Sequence, residues 1–416
     1  MPTATLPLPL TVTIEPTEQA EVAATLRQAF ADETPVYPLG GRTALGFGLT
    51  AKRPGLGLST TGLKRIIDYP ARDMTITVEA GTTIAELAQV LAAENQYLPL
   101  DVAQPGTATV GGVMAANFSG PRRYGYGTFR DYIIGVSAVD GTGTAFKAGG
   151  RVVKNVAGYD FCKLLTGSLG TLAVVTQVTL KVRPRPQASA LMIFEGDLLH
   201  TEAQLLRLTH TRTTPTAIEL LSGPAWDDLP GVKATGPGTA RIVIGFEGSA
   251  TEVSWQRRQL REEWQAGGAS DAAPIAELTD AEAAPLWTRL TEFGAAAEPT
   301  SPVVKINTVA GRVVEAGLLI QKHLPNASCL THAGNGIVLV DCGELSTADA
   351  AKLLIRELRP FAMRERGQAV VWNGPPSDDW TSQAYWGPTR EDDAVMKTVK
   401  RTFDPKGLLN PGRFNL

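Results

Sequence analysis

Between Met74 and Ala80 the chain reads M-T-I-T-V-E-A, with apolar and polar residues alternating as in a half-buried strand, and Gly81 closes the run. Thr83-Ile84-Ala85-Glu86 follows as a capping box, and Ile84, Leu87, Val90 and Leu91 then fall on one helical stripe. Similar signals run through the first 186 residues. Residues 11–16 predict a strand. A helix opening near Thr17 carries Val22, Leu26, Ala29 and Phe30 on one face, with Glu18 and Glu21 at its positive end. Val36 to Gly48 predicts a short strand running into Gly40-Gly41. Tyr132 to Val139 reads as a strand turning through Asp140-Gly141-Thr142-Gly143, and Asp160 to Leu165 as a short helix. Leu172 to Val182 is a long alternating strand with Leu172, Val174, Val178, Leu180 and Val182 on one face. Arg183-Pro184-Arg185-Pro186 breaks the pattern and reads as a linker.

The stretch from 187 to 375 has another texture. Strand-like runs at 191–195, 218–221 and 241–246 alternate with helix-like runs at 201–209 and 251–264. The order then recurs: strand 303–307, helix 311–322, strands near 328–332 and 336–342, helix 347–358, strand 369–373. This predicts two α+β halves sharing one antiparallel sheet. Residues 223–238 and 266–276 read as surface loops. Asp392 to Phe403 is an amphipathic helix, followed by the Pro- and Gly-rich D-P-K-G-L-L-N-P-G-R-F.

One segment fits neither period. P-G-T-A-T-V-G-G-V-M-A-A-N-F-S-G, Pro105 to Gly120, is crowded with small residues and has no charged side chain. Backbone so exposed can approach a ligand closely and hold phosphate by its amides, as can Gly40-Gly41. Two such nests suit a ligand with two phosphates and two ends. There is no G-x-x-x-x-G-K-[ST], so this is not a P-loop.

Composition narrows the classes. At 416 residues, 43% of them hydrophobic, the chain is long enough for two or three structural units. A net charge of −3 with no long basic run argues against nucleic acid or an anionic membrane surface as partner. Arg122-Arg123-Tyr124 reads as a solvated turn. The three cysteines, Cys162, Cys329 and Cys342, are too few and too scattered for an iron–sulfur cluster or a disulfide framework, which points to a reduced, cytoplasmic compartment. The first residues lack the basic region of a signal peptide, and no apolar run reaches membrane-spanning length, so no direct membrane insertion is expected.

Four segments in order, P-L-G-G-R-T, G-T-A-T-V-G-G-V-M-A-A-N-F-S-G, G-S-L-G-T-L-A-V-V-T and F-D-P-K-G-L-L-N-P-G-R, resemble the vanillyl-alcohol-oxidase/p-cresol-methylhydroxylase (PCMH-type) class of FAD-binding oxidoreductases. Within it the likeness runs to the E subunits of bacterial glycolate oxidases. The resemblance implies an α+β fold: a PCMH-type FAD-binding domain of two α+β subdomains, residues 1–186 completed by the 392–416 tail, and an antiparallel-sheet cap, 187–391. Carried over by position, Leu39, Gly40, Gly41, Arg42, Thr43, Gly106, Thr109, Val110, Gly111, Gly112, Ala115, Asn117, Ser119 and Gly120 would hold the pyrophosphate and ribityl chain. Gly170, Val174 and Val175 would flank the nucleotide end, with Asn410 near the flavin. Leu169, Ala173 and Ser119 depart from residues common in the class. No histidine precedes His200, so FAD is expected to be non-covalent.

Relatives that oxidise 2-hydroxy acids carry H-x-G-D-G-N-x-H and E-H-G segments. Here the first reads H-A-G-N-G-I-V-L, His332 to Leu339, and the second Glu365-Arg366-Gly367. So eroded a set leaves too few ligands for a metal site, and none is expected. His332 is left as a lone candidate base or as a hydrogen-bonded histidine closing a strand. The resemblance therefore implies the FAD-binding accessory subunit of a complex oxidising a small 2-hydroxy acid, glycolate, to glyoxylate. Its partners would be a catalytic FAD-containing D subunit and an iron–sulfur F subunit, with any membrane association peripheral, at the inner face of the plasma membrane. A self-sufficient FAD-dependent dehydrogenase or oxidase and a flavin-free structural subunit are the alternatives.

Overall fold

Three small sheets come first in the chain, and a large antiparallel sheet follows. The computed structural model describes residues 8–150, 158–229, 239–266, 273–296 and 299–414. Strands β1 (Leu10–Ile14), β2 (Val36–Leu39) and β3 (Gly55–Ser59) form a parallel sheet in the order β1-β3-β2. Strands β4 (Ile66–Asp68), β5 (Thr75–Glu79), β7 (Ile133–Asp140), β8 (Ala145–Gly149) and β9 (Ala173–Lys181) form an antiparallel sheet in the order β4-β5-β9-β7-β8. The capping box is present. Thr83 Oγ1 accepts from Glu86 N at 3.1 Å, the Glu86 carboxylate accepts from Thr83 N at 2.8 Å, and helix Ile84–Ala93 buries Leu87 and Leu91.

Three expectations need correction. The long strand β9 does not keep one face. Its pairing steps from Gln177↔Ser137 to Val175↔Ala138, leaving Thr176 as an extra residue, so Val175, Val178 and Leu180 share a core that Val174 turns away from. Arg183–Pro184 is no linker but a short strand, β10, paired antiparallel with β6 (Gln96–Tyr97). Residues 223–229 are not all surface loop, because Trp226 and Leu229 are buried and Trp226 Nε1 donates to the Cys329 carbonyl at 2.9 Å. Most of the rest of the 223–238 and 266–276 expectations lies outside the described residues.

The large sheet is built from two copies of one motif. The first is β11 (Ala188–Asp197), helix Thr201–Leu208, β12 (Ala217–Ser222), β13 (Thr239–Gly248), helix Ala250–Ala266 and β14 (Ala276–Thr279). The second is β15 (Val303–Asn307), helix Val313–His323, β16 (Ser328–His332), β17 (Ile337–Asp341), a helix running from Thr347 to Arg364 through a wide π turn, and β18 (Gln368–Asn373). The strand order is β14-β11-β13-β12-β16-β17-β15-β18. Each half is thus a βαββαβ unit, and the second strands of the two units, β12 and β16, pair at the seam. Alternation sends Ile218, Leu220, Val304 and Ile306 under the helices, and Ala217, Leu221, Leu330 and Leu339 to the opposite face, where Phe47 and Phe118 of the N-terminal region pack. Helix Ala284–Glu292, absent from the sequence reading, lies on that face through Leu286, Trp287 and Leu290.

The C-terminal tail returns to the first sheet. Leu409 pairs in parallel with Val36, and Asn410 N donates to the Val36 carbonyl at 2.8 Å. Asp404 fixes this turn. Its carboxylate accepts from Leu408 N at 3.0 Å, Leu409 N at 2.7 Å and Lys400 Nζ at 2.5 Å, and it is almost fully buried. Among the described residues no helix is long and apolar enough to cross a membrane. Asp404→Ala strands a largely buried ammonium and two backbone N–H groups, so urea unfolding is expected to register a loss of about 3–5 kcal/mol. A loss under about 1 kcal/mol would contradict this role for the carboxylate.

Candidate active site

Two glycine-bearing turns pack against each other. β2 ends at Leu39, and Gly40-Gly41 then lies against residues 107–109. A Cβ on Gly41 would strike the Thr107 carbonyl, and one on Gly40 would strike Thr109 Oγ1, so only glycine permits the approach. Half of the segment read as a cradle is in fact a helix, Val110–Ala116, capped by Thr109, whose hydroxyl accepts from Gly112 N at 3.2 Å. Gly111 lets this helix sit on Ala80, where a Cβ would come within 2.8 Å of the alanine methyl.

Strained backbone marks the same place. Arg42, Asn117, Leu169 and Asn410 have φ of 62°, 52°, 53° and 46°, each conformation costing roughly 1 kcal/mol for a residue with a side chain. Arg42, Leu169 and Asn410 line one groove with Gly40, Gly41, Thr43, Thr109, Gly112 and Ala115. Asn410 Nδ2 donates to the Leu169 carbonyl at 2.5 Å, tying the tail to the groove floor. Arg413 spends its guanidinium on the carbonyls of Leu45, Phe47 and Leu49, which shapes the loop after the first turn. A second cavity shares Thr43, Ala44, Gly112 and Ala116 with the groove and runs on past Ser119 and Gly120 to His332.

Ten of the residues expected to bind FAD therefore come together: Gly40, Gly41, Arg42, Thr43, Thr109, Gly112, Ala115, Ser119, Gly120 and Asn410. Leu39, Val110, Val174 and Val175 are buried in the core behind them, and Gly111 packs on Ala80. Gly170, at φ 65°, touches Asn410 and Pro38, whereas Gly106 is exposed with nothing near its Cβ position. Asn117 has a buried Oδ1 without a hydrogen-bond partner. A backbone-lined groove with small walls fits the diphosphate end of FAD. The ring end is narrower. The rings of Phe118 and Trp372 lie 4.0 Å apart, and Phe47 is 5.3 Å from both Phe118 and Trp386. The two cavities measure about 100 and 60 Å³, below the several hundred Å³ a bound ligand of this size fills.

His332 ends β16 directly opposite Glu219 of β12, and its Nδ1 lies 2.7 Å from Glu219 Oε2. The imidazole is 2% exposed and the carboxylate 0%. Burial pushes the Glu219 carboxyl above its ordinary range, against the pull of His332 and Arg123. Lys305 projects from the same face of the sheet as His332, with Nζ 4.3 Å from the centre of the Trp372 ring. Burial, with Arg123 adding to it, lowers the Lys305 ammonium to about 8. Arg123 donates to Ser119 Oγ at 2.8 Å, and burial holds its guanidinium below the usual range. Among the described residues neither cation has an ion-pair partner, and the carboxylate that lines the cavity, Asp101, is already paired with Arg122.

The Arg122-Arg123 pair is not the solvated turn that the sequence suggested. Gly125 N donates to the Thr216 carbonyl at 3.0 Å, docking this segment on the first strand pair of the seam. Arg122 bridges Asp101 at 2.5 Å and Glu247 at 2.7 Å and stacks 3.8 Å over Trp287. Leu339 stands beside His332 in the cavity wall, and Glu365 is engaged by Arg312 at 3.1 Å. Among the described residues no group of three or more His, Cys, Asp or Glu could hold a metal ion. Sequence reasoning missed Glu219, Lys305 and Arg123. A lone charge inside an apolar strand run was the available signal for the first two.

A family model described as FAD binding domain matches residues 10–149, and one described as FAD linked oxidases, C-terminal domain, matches residues 383–414. Glycolate oxidase subunit GlcE of Escherichia coli (strain K12) is 33% identical over 245 residues, spanning 57% of this chain and 67% of that protein. A D-2-hydroxyglutarate dehydrogenase of Xanthomonas citri pv. viticola is 28% identical over 434 residues, spanning 98% of this chain and 89% of its own length. Among solved structures, p-cresol methylhydroxylase with substrate bound superposes with a TM-score of 0.71 at 17% identity, over 96% of this chain and 88% of that one, a likeness of fold.

Gly112 walls both cavities, and the nearest atom to a Cβ there is Thr109 Oγ1 at 3.1 Å. Gly112→Val is expected to fill the groove while leaving the core intact, so FAD affinity, read by flavin fluorescence quenching, falls at least about tenfold and Tm moves by only a few degrees. Unchanged affinity would remove the groove from the FAD site.

Proposed function

The chain belongs to the PCMH-type FAD-linked oxidases, FAD-dependent oxidoreductases acting on CH–OH groups, and from there we propose that it is the FAD-binding subunit of an assembly that oxidises glycolate to glyoxylate. FAD-dependent oxidation of a hydroxy acid is common ground among its relatives, and the kinship with GlcE favours glycolate. Residues 1–186 with the 392–416 tail form the FAD-binding domain in this reading, and 187–391 form the cap. FAD is held without a covalent bond by the turn at 39–43 and the segment 106–120, with Gly170 and Asn410 closing the site and Val174 and Val175 packed behind it. A catalytic FAD-containing D-type subunit and an iron–sulfur F-type subunit, which takes the electrons on, complete the assembly, and any contact with the plasma membrane is made through them.

The observation that carries the substrate class is the buried ammonium of Lys305, on the sheet face that carries His332. Arg123 is drawn to Asp131 and Glu219, whereas burial and Arg123 act on the Lys305 ammonium with no carboxylate beside it to offset them. A small carboxylate entering the cavity restores neutrality where burial makes unpaired charge costly. The acid's hydroxyl would then face His332, which takes its proton as the C–H bond is broken. FAD supplies the two-electron acceptor.

These same groups favour a second reading, in which the chain oxidises its hydroxy acid without partners. Anaerobic mixing with glycolate and D-lactate separates the two readings. Bleaching by the chain alone supports self-sufficiency, and turnover only when D- and F-type chains co-purify supports the subunit. Failure of both contradicts the proposal.

Acid binding has a predictable pH dependence. Lys305 is cationic below about 8 and loses its proton as pH rises through that value. The dissociation constant of a 2-hydroxy acid, read from flavin difference spectra, is therefore expected to be flat below that point and to rise by up to about tenfold per pH unit above it. Lys305→Met should weaken binding throughout and abolish this limb. A constant affinity across the range would contradict the assignment.

A further inference from the structure

We infer that Glu219 is the positioning residue of His332: it holds Nδ1 against β12 and leaves Nε2 to the cavity walled by Phe118, Leu339 and Trp372. The inference deepens the reading of this cavity as a hydroxy-acid site and rests on it.

Strand geometry carries the argument. Glu219 and His332 are directly opposite in the only ladder that joins the two βαββαβ units among the described strands. Antiparallel pairing puts opposed side chains on the same face, and here that is the face turned toward the N-terminal region. The carboxylate reaches one ring nitrogen at 2.7 Å, and the hydrogen bonds of the described residues include none to the other. His332 lines the cavity. A ring fixed by its Nδ1 side in a cavity wall presents Nε2 to whatever enters.

Stability alone is a poor reason for such a pair. A buried Glu–His couple gains little over two well-packed apolar side chains, and Glu219 Oε1 is left buried with no hydrogen bond. Apolar neighbours surround it at Ala217, Leu221 and Leu330, so an apolar pair at the seam would pack there. The charged groups facing the couple are Arg123 from helix Arg123–Tyr126, Asp101 from the preceding loop and, through Arg123, Lys305 on β15. Asp101 is held by Arg122, so the unpaired charge beside the couple is positive. Arg123 and the imidazole itself oppose the burial that raises the Glu219 carboxyl, and in its carboxylate form Glu219 must accept, which fixes the proton on Nδ1. Nε2 is then the basic nitrogen.

The chain has four histidines, so selectively ¹⁵N-labelled imidazoles can be assigned with one variant, His332→Gln. The expected spectrum of the wild-type holoprotein has His332 as a single tautomer, protonated at Nδ1 with a strongly downfield proton, and bare at Nε2. Glu219→Gln should keep the tautomer and move the proton upfield. Glu219→Leu should release both tautomers while FAD content stays unchanged. With a hydroxy acid, Glu219→Leu should slow flavin reduction about 10–100-fold with little change in the acid's dissociation constant, and Glu219→Gln should recover part of that rate. Protonation of His332 at Nε2 in the wild type, or identical His332 spectra in all three proteins, would overturn the inference. If no hydroxy acid reduces the flavin of the wild type, the functional reading fails, and the tautomer measurement still decides the role of Glu219.

Discussion

The approach of the Gly40-Gly41 turn to Thr107–Thr109 is the contact on which the site depends. It brings a parallel sheet and an antiparallel sheet within backbone distance, at positions where any Cβ would collide. The groove exists because both turns are short of side chains. Its floor is supplied from two other parts of the chain, Leu169 in the loop before β9 and Asn410 in the tail, joined by one hydrogen bond. Asp404 holds that tail to β2, so a carboxylate far from the groove governs its shape.

The large sheet answers a different constraint. Two βαββαβ units pair through their second strands, and the seam so formed places Glu219 and His332 side by side beneath the N-terminal region. Docking of the segment 120–126 on this seam then brings Arg123 near the same pair, and Arg122 fastens the contact through Asp101, Glu247 and Trp287. The groove and the cavity that reaches His332 share Gly112 and Ala116 as a common wall, the arrangement a redox step would need under the proposed function if substrate and cofactor are to touch.

Much of this was legible in the sequence, because periodicity and capping report on local structure. The capping box at Thr83, the hairpin at Asp140 and the two similar halves after residue 187 were readable in that way. The resemblance gave the turns at 40–43 and 106–120. Three things were not legible. The bulge at Thr176 flips the faces of β9, and nothing in the alternation of that strand announces it. Helix Val110–Ala116 hides behind adjacent glycines that argue against a helix, and close packing on Ala80 is what favours them. The charged groups around His332, namely Glu219, Lys305 and Arg123, come from three distant segments, and only the sheet order and the docking of the segment at Gly125 bring them near one another.

The most direct test of the account is the anaerobic visible spectrum of the holoprotein titrated with glycolate, recorded for the wild type and for His332→Gln in the assembly that turns over. The account predicts that the bound flavin of the wild type bleaches and that the variant, with equal flavin content, bleaches at least about a hundredfold more slowly. Equal rates in the two proteins would contradict the claim that this cavity is where the hydroxy acid is oxidised.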